Sequence, residues 1–156
     1  MWLLPLLLCC FDVFVVQSGC PVGYQHLYGE KCIKYVTAKM VIQEARAHCR
    51  ADGGDLASIH SDQENDLIFA SMPTAPDDYA WIGLECDPTS QVYKWMDNSP
   101  FDYTHYRTLT NLTCIASYED VTHFVMNFDS SAWLRVVALN AYQFICMAEN
   151  GGLINR

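Results

Sequence analysis

The spacing of apolar residues predicts a hairpin and two helices in the first half of the chain. Two short strand-like runs flank Gly29-Glu30-Lys31, which indicates a hairpin between Cys20 and Cys32. Apolar residues then recur at steps of three and four, as in a helix with one buried stripe. We expect Thr37 to cap this helix and Gly53-Gly54 to end it. The residues of the stripe are Ala38, Val41, Ile42, Ala45 and Cys49.

A capping box marks the start of a second helix. Ser61 and Glu64 are spaced so that each side chain can satisfy a backbone donor at the helix start. Apolar residues follow, and Pro73 and Pro76 are expected to end the helix. These apolar residues are Leu67, Ile68 and Ala70.

Helical periodicity disappears from Tyr79 onward, and short apolar runs indicate strands. Residues 81–84 are typical of a buried strand, residues 92–95 predict another, and residues 97–100 predict a turn. The best candidates for late strands are residues 123–128 and 143–146. Two helices followed by several strands predict an α+β fold in a single domain.

A long stretch with little periodicity, residues 97–118, interrupts the strands. Loops of this length without regular structure are usually functional or disordered. Aromatic residues with polar tips lie in and around it, and such side chains are suited to a binding surface. The candidate ligand-binding residues are Tyr103, His105, Tyr106 and Glu119.

Composition limits the classes of partner. The chain has 156 residues, 51% of them hydrophobic, and its 9 basic and 18 acidic residues give a net charge of −9. This hydrophobic fraction suits one domain with a buried core and excludes disorder as the main state. Nine scattered basic residues provide no cationic stripe for phosphates, so nucleic acid and anionic membranes are poor partners.

The first 18 residues are almost wholly apolar and contain no Lys or Arg. They predict a secretory signal peptide that is removed before Gly19, because Asp12 interrupts the apolar run that a spanning helix requires. A retained anchor is the alternative, since a basic residue is missing at the start. We therefore expect a secreted, extracellular domain over residues 19–156 without a membrane span.

Eight cysteines are present, and removal of Cys9 and Cys10 with the signal peptide leaves six. An even number in a secreted chain indicates disulfides. Spacing alone does not choose among their fifteen pairings, and the paired C-x-x-C spacing of a zinc site is absent. The six are Cys20, Cys32, Cys49, Cys86, Cys114 and Cys146.

One ordered set of motifs resembles the C-type lectin-like domain over about residues 20–148. The motifs are the hairpin, the helix with Cys49, Gly-Gly-Asp-Leu-Ala-Ser-Ile-His at 53–60, Trp-Ile-Gly-Leu at 81–84, Trp133 and Ile145-Cys146. The resemblance implies two helices, small antiparallel sheets and a long loop. It also implies disulfides between Cys20 and Cys32 and between Cys49 and Cys146.

The same resemblance argues against calcium at the family's usual sugar site. Sugar-binding members hold the ion with an E-P-N or Q-P-D segment, a Glu in E-D-C, and an N-D pair after the late Trp. Here Leu134 and Arg135 follow Trp133, residues 110–112 read Thr-Asn-Leu, and only Glu119 keeps a carboxylate. Calcium needs six to eight oxygen ligands, so we expect none there. An accessory calcium held by loop acids remains an alternative to solvated turn charges.

Two further expectations follow from this alignment. Val121 and Ala138 stand where the family has its inner disulfide, which leaves Cys86 and Cys114 to pair with each other. An intermolecular bond is the alternative, because nothing in the sequence fixes their separation. Asn111-Leu112-Thr113 is a glycosylation sequon in the segment that corresponds to the sugar site.

The sequence contains no motif of a known catalytic site, so an enzyme is not expected. The resemblance implies a secreted recognition module that binds a protein or surface ligand through the long loop, without calcium in the usual site. The alternative is a carbohydrate-binding lectin, calcium-dependent through a rearranged site or calcium-independent. Secreted members of the family are linked with innate recognition of microbial or host surfaces.

Overall fold

The computed structural model describes residues 19–73, 78–87, 89–106, 114 and 122–151. Two helices and eight strands lie within these residues, which confirms the α+β class. The helices are α1 (Ile42–Ala51) and α2 (Asp62–Ser71). The strands are β1 (Gln25–Tyr28), β2 (Lys31–Met40), β3 (Asp55–Leu56), β4 (Tyr79–Cys86), β5 (Tyr93–Trp95), β6 (Thr122–Asn127), β7 (Trp133–Val137) and β8 (Tyr142–Glu149).

All eight strands join one mixed sheet, where separate small antiparallel sheets were expected. The main path runs β1-β2-β8-β4-β6-β7, while β3 pairs with β8 and β5 pairs with β4. Strands β4 and β8 are parallel, with Ala80 opposite Gln143, and the other pairs are antiparallel. The parallel pair joins the half of the sheet formed by β1, β2 and β8 to the half formed by β4, β6 and β7.

The first helix begins four residues later than the sequence predicts, with its N-cap at Val41 instead of Thr37. Thr37 does not cap it, because Thr37 lies inside β2, which stays extended as far as Met40 opposite Tyr142 of β8. Strand pairing therefore overrides the local helical periodicity in this region. The helix starts after Val41, which makes no side-chain cap. Its buried residues are Ile42, Ala45 and Cys49, as the stripe predicts.

Gly53 ends the first helix, as expected. Its φ of 87° lies in the left-handed region, and its N–H donates to the carbonyl of Arg50. Glycine adopts this conformation without the steric cost that a Cβ brings. The chain then turns directly into β3, whose Leu56 pairs with Cys146.

The capping box of the second helix forms only in part. The Ser61 hydroxyl accepts from the Glu64 N–H at 3.2 Å, as predicted. The Glu64 carboxylate does not return to the Ser61 N–H. It accepts from the His60 N–H at 2.8 Å and forms an ion pair with Lys31. Glu64 is fully buried, so its charge is satisfied by these two partners rather than by water. The helix ends at Ser71, shortly before Pro73.

The sheet has a hydrophobic core on each face. One core includes Trp95, Trp133 and Ile68 of α2, and the other includes Trp81 and Cys49 of α1. All three tryptophans are at most 1% exposed, as expected for core residues. None of the helices in the described ranges is long and apolar enough to cross a bilayer.

Three disulfides connect the six cysteines of the described chain. They join Cys20 to Cys32, Cys49 to Cys146 and Cys86 to Cys114, which are the three pairings expected above. The second spans 97 residues in sequence and ties α1 to β8. The third spans 28 residues and ties the end of β4 to Cys114 of the long loop.

The bond between α1 and β8 should dominate stability. A cross-link that closes about 100 residues removes enough chain entropy from the unfolded state to contribute about 4–5 kcal/mol. We predict that the double variant Cys49→Ser/Cys146→Ser loses about 3–5 kcal/mol of unfolding free energy, measured by chemical denaturation of secreted protein. The double variant Cys20→Ser/Cys32→Ser removes a bond that closes a shorter loop, of 12 residues in sequence separation. It should therefore lose less unfolding free energy. Equal losses would contradict this account.

Candidate functional site

The described part of the long loop crosses the start of α2 and reaches the last strand of the sheet path. A turn opens it, in which the Asp97 carboxylate accepts from the Ser99 N–H at 2.8 Å. The segment then extends to Tyr106, which forms an isolated parallel bridge with Trp133 of β7. Residues 97–106 are called the crossing segment below. Because the crossing segment contacts both α2 and β7, its backbone has a defined path.

Tyr103 and His105 contact the start of α2. The Tyr103 hydroxyl donates to the Asp62 carboxylate at 2.7 Å and lies 3.0 Å from His105 Nδ1. Burial, together with the hydrogen bond to Asp62, raises the pKa of Tyr103 far above its usual value. The phenol therefore stays protonated and donates at any physiological pH.

A second contact joins the crossing segment to α2. His60 Nδ1, just before the helix, lies 2.9 Å from the exposed carboxylate of Asp102. This hydrogen bond lowers the pKa of Asp102. The Asp102 carboxylate is therefore ionised near neutral pH, so the contact joins a full negative charge to the imidazole.

His105 also connects the crossing segment to the turn before β7. Its backbone carbonyl accepts from the Trp133 N–H at 2.8 Å, and its Nε2 lies 3.4 Å from the Ser131 hydroxyl. The His105 side chain keeps 34% of its surface exposed. His105 therefore combines a structural backbone contact with a side chain that solvent or a ligand can reach.

Tyr106 packs as a core residue. Its ring lies 5.4 Å from the ring of Phe124 and 6.0 Å from that of Trp133. Burial raises the pKa of its phenol, and its hydroxyl has no hydrogen-bond partner in the described chain. Of the four candidate ligand residues, Tyr103, His105 and Tyr106 are thus brought together. Glu119 lies outside the described residues, as does Asn111 of the sequon.

Several exposed side chains of the crossing segment are ones that sequence reasoning did not select. Phe101, Asp102 and Thr104 are exposed, while the intervening Tyr103 faces α2. Selection by aromatic residue type favoured the residues that anchor the segment instead. Exposed and partly buried positions alternate over residues 102–105. This alternation, expected of an extended segment, was the sequence signal that could have identified the exposed side chains.

A buried amide beneath the crossing segment fixes its support. Asn65 of α2 accepts from Trp133 Nε1 at 2.8 Å, and its amide nitrogen lies 3.5 Å from the Ser131 carbonyl. Both Asn65 and Trp133 are at most 1% exposed. Because buried polar atoms are costly without partners, this amide holds α2 and β7 in one relative position.

Ion pairs hold the strand that leads to the Cys86–Cys114 disulfide. The ammonium group of Lys94 lies 2.9 Å from the Asp87 carboxylate and lowers the pKa of Asp87 to about 2. Glu85 lies 3.6 Å from the buried His123, and the polar contact with this imidazole lowers the pKa of Glu85. These contacts fix the positions from which the loop departs and to which it returns.

A cleft of about 920 Å³ borders the start of the crossing segment. The N-terminal residues Cys20 and Val22 line one side of the cleft, and the turn at Asp97 and Ser99 lines another. Val22 is 98% exposed. The exposed turn of the crossing segment and this concave surface are therefore neighbours.

The residues after Trp133 do not fit a calcium site. Leu134 packs against the core on the α1 face, and Arg135 is exposed on β7. Neither side chain offers an oxygen, and a guanidinium repels a cation. No cluster of three or more metal-ligating side chains occurs in the ranges that the structure describes.

Comparison with known proteins identifies the family. The model of the lectin C-type domain matches residues 38–148, and the chain belongs to this family. The expected α+β lectin-like fold is therefore confirmed. Three disulfides and relatives of this family are in keeping with an extracellular protein.

Curated relatives with different names match the chain. The snaclec bothroinsularin subunit alpha of Bothrops insularis is 29% identical over 81% of this chain and 96% of that protein. The type-2 ice-structuring protein of Hemitripterus americanus is 36% identical over 54% of this chain, and the match spans about half, 49%, of that protein. The galactose-specific lectin nattectin of Thalassophryne nattereri is 30% identical over 58% of this chain and 57% of that protein.

Solved structures confirm the fold. A calcium-independent type II antifreeze protein superposes with a TM-score of 0.72 at 25% identity, covering 84% of this chain and 95% of that one. The cow C-type carbohydrate-recognition domain of CD23, solved in the presence of an oligosaccharide, superposes with a TM-score of 0.69 at 24% identity, covering 85% and 97%. The shared fold therefore supports proteins with different ligands.

Removal of the Asn65 side chain should destabilise the junction between α2 and β7 that lies beneath the crossing segment. We predict that Asn65→Ala lowers the unfolding free energy by about 1–3 kcal/mol, because Trp133 Nε1 is left buried without an acceptor. Urea denaturation measures this change. Asp66→Ala, at an exposed position of the same helix, is the matched control and should stay within about 0.5 kcal/mol of the parent. Equal stability of the two variants would refute the supporting role of Asn65.

Proposed function

We propose that this chain is a secreted, non-catalytic recognition module that binds a protein or surface ligand through its long loop, without calcium in the usual sugar site. The observation that carries the proposal is the pair Leu134 and Arg135 after Trp133. One side chain packs on the core and the other is a cation, so these two positions offer no side-chain oxygen to a calcium ion.

The crossing segment supports binding through the loop. Its backbone is held against α2 and β7 through Tyr103 and His105. Because the segment is already ordered, less conformational entropy is lost when a ligand binds. Asp102 and Thr104 are exposed on it, and Phe101 is 37% exposed while its ring lies 6.1 Å from the ring of Tyr93. The turn at its start borders the cleft of about 920 Å³. A rigid segment with an exposed aromatic, an acid and a hydroxyl suits contacts with a polar surface.

Removal of the signal peptide at residues 1–18 and a glycan on Asn111 belong to the same proposal. Both suit a disulfide-bonded chain of the secretory pathway. A role in innate recognition of cell or microbial surfaces is the biological setting that the family suggests. The partner is a protein or glycan displayed on such a surface.

A carbohydrate-binding lectin is the second candidate function. The name of one relative, the galactose-specific lectin nattectin, favours it. Calcium would then act through a rearranged site that includes Glu119, or the sugar would bind without the ion.

Thermal unfolding with added calcium distinguishes the recognition module without calcium in the usual site from the calcium-dependent lectin. A site with the affinity of extracellular modules, a Kd of about 0.1–1 mM, would add about 1.4–2.7 kcal/mol in about 10 mM calcium, which raises the Tm by several degrees. We predict that the Tm of residues 19–156 is the same in calcium and in chelator. Magnesium at equal concentration controls for ionic strength.

A calcium-dependent rise in Tm would show that the chain binds the ion, and the proposal would be overturned if that rise depends on Glu119. The variant Glu119→Gln would then decide where the ion binds. Loss of the rise in this variant would favour the rearranged lectin site, and its persistence would place the ion at other carboxylates.

A further inference from the structure

Four side chains, contributed by the start of α2, the crossing segment and the turn before β7, form one chain of hydrogen bonds with a single direction. The Asp62 carboxylate can only accept, so the Tyr103 hydroxyl donates to it at 2.7 Å. The Tyr103 oxygen then accepts from His105 Nδ1 at 3.0 Å. In this tautomer, Nε2 of a neutral His105 carries a lone pair and no proton.

That lone pair faces a serine. The Ser131 hydroxyl lies 3.4 Å from His105 Nε2, so it donates to the imidazole. The order of hydrogen-bonded groups is therefore carboxylate, phenol, imidazole and hydroxyl. His105 Nδ1 also lies 3.8 Å from the Asp62 carboxylate directly. A serine whose proton is directed at an oriented imidazole is the arrangement that activates a hydroxyl as a nucleophile.

The local backbone presents Ser131 to solvent. Its φ of 54° lies in the left-handed region, at the end of the turn between β6 and β7. Its carbonyl is held by the Asn65 amide at 3.5 Å, and the next residue but one, Trp133, is bonded to the His105 carbonyl. These contacts fix the backbone on both sides of the pair, while Ser131 itself and the His105 ring remain partly exposed.

We propose that Ser131 is a reactive serine, activated by His105, that takes acyl or phosphonyl groups from electrophiles with good leaving groups, such as activated esters and fluorophosphonates. This modification site is independent of the proposed recognition function. In the transfer, a bond forms between Oγ and the acyl carbon or phosphorus. The bond to the leaving group breaks, and the hydroxyl proton passes to Nε2 and from there to the leaving group or to water.

The contacts of His105 and Ser131 differ from those of their neighbours. Ser130 is adjacent in sequence, but its hydroxyl lies 3.0 Å from the Asn127 side chain rather than against an imidazole. His60, on the other side of the segment, faces the Asp102 carboxylate at 2.9 Å through Nδ1. Ser130 is therefore a matched control for Ser131.

The test is labelling of the secreted chain with a fluorophosphonate probe, followed by intact mass and peptide mapping. We expect one adduct per chain, located at Ser131. Ser131→Gly, which suits the positive φ, and Ser131→Ala should both abolish it. His105→Gln should slow labelling by about 10²-fold, the lower range for loss of a general base. Ser130→Ala should label at the parental rate.

Three outcomes would overturn the proposal. The parent chain could fail to label, the adduct could map to another residue, or His105→Gln could label as fast as the parent. Each variant is first compared with the parent by secretion level and Tm. Glycine adopts the positive φ of position 131 without steric strain, whereas alanine does not. If both variants fold and neither is labelled, the loss is due to the missing hydroxyl and not to misfolding.

Discussion

Strand β8 holds the structure together because it pairs with three other strands and carries half of the longest disulfide. One edge of β8 pairs with β2, and the other edge pairs with both β4 and β3. Cys146, at its centre, is bonded to Cys49 of α1. The alternation along the strand places Ile145 in one core and Phe144 with Cys146 in the other. Both cores, and the position of α1, therefore depend on where this strand lies.

The candidate site depends on this frame through a few polar contacts. Strand β4, held by β8, positions β6 and β7, and Asn65 then locks α2 to Trp133. The crossing segment is laid over this junction by His105, whose carbonyl accepts from the Trp133 N–H. A loop that is rigid at its base and exposed at its outward positions is suited to recognition, since few degrees of freedom are lost on binding. The same rigidity orients His105 towards Ser131.

Sequence pattern predicted the parts of this structure that depend on local or strongly marked signals. The stop at Gly53, the strand at Trp81 and the Ser61 cap all rest on neighbouring residues, and each is present. The start of α1 was misplaced because Thr37 sits in a strand whose partner is more than one hundred residues away in sequence. Strand β7 was missed because it is short and its alternation is weak. The contacts of Tyr103 could not be predicted, since no local pattern pairs it with Asp62.

The central claim is that recognition by this chain does not use calcium at the usual sugar site. The most direct measurement is binding of the secreted chain to a broad panel of glycans and surface proteins, once in calcium and once in a chelator. The account predicts the same bound partners and the same affinities in both conditions. Binding that the chelator abolishes would contradict it, because a working calcium site would then exist despite Leu134 and Arg135.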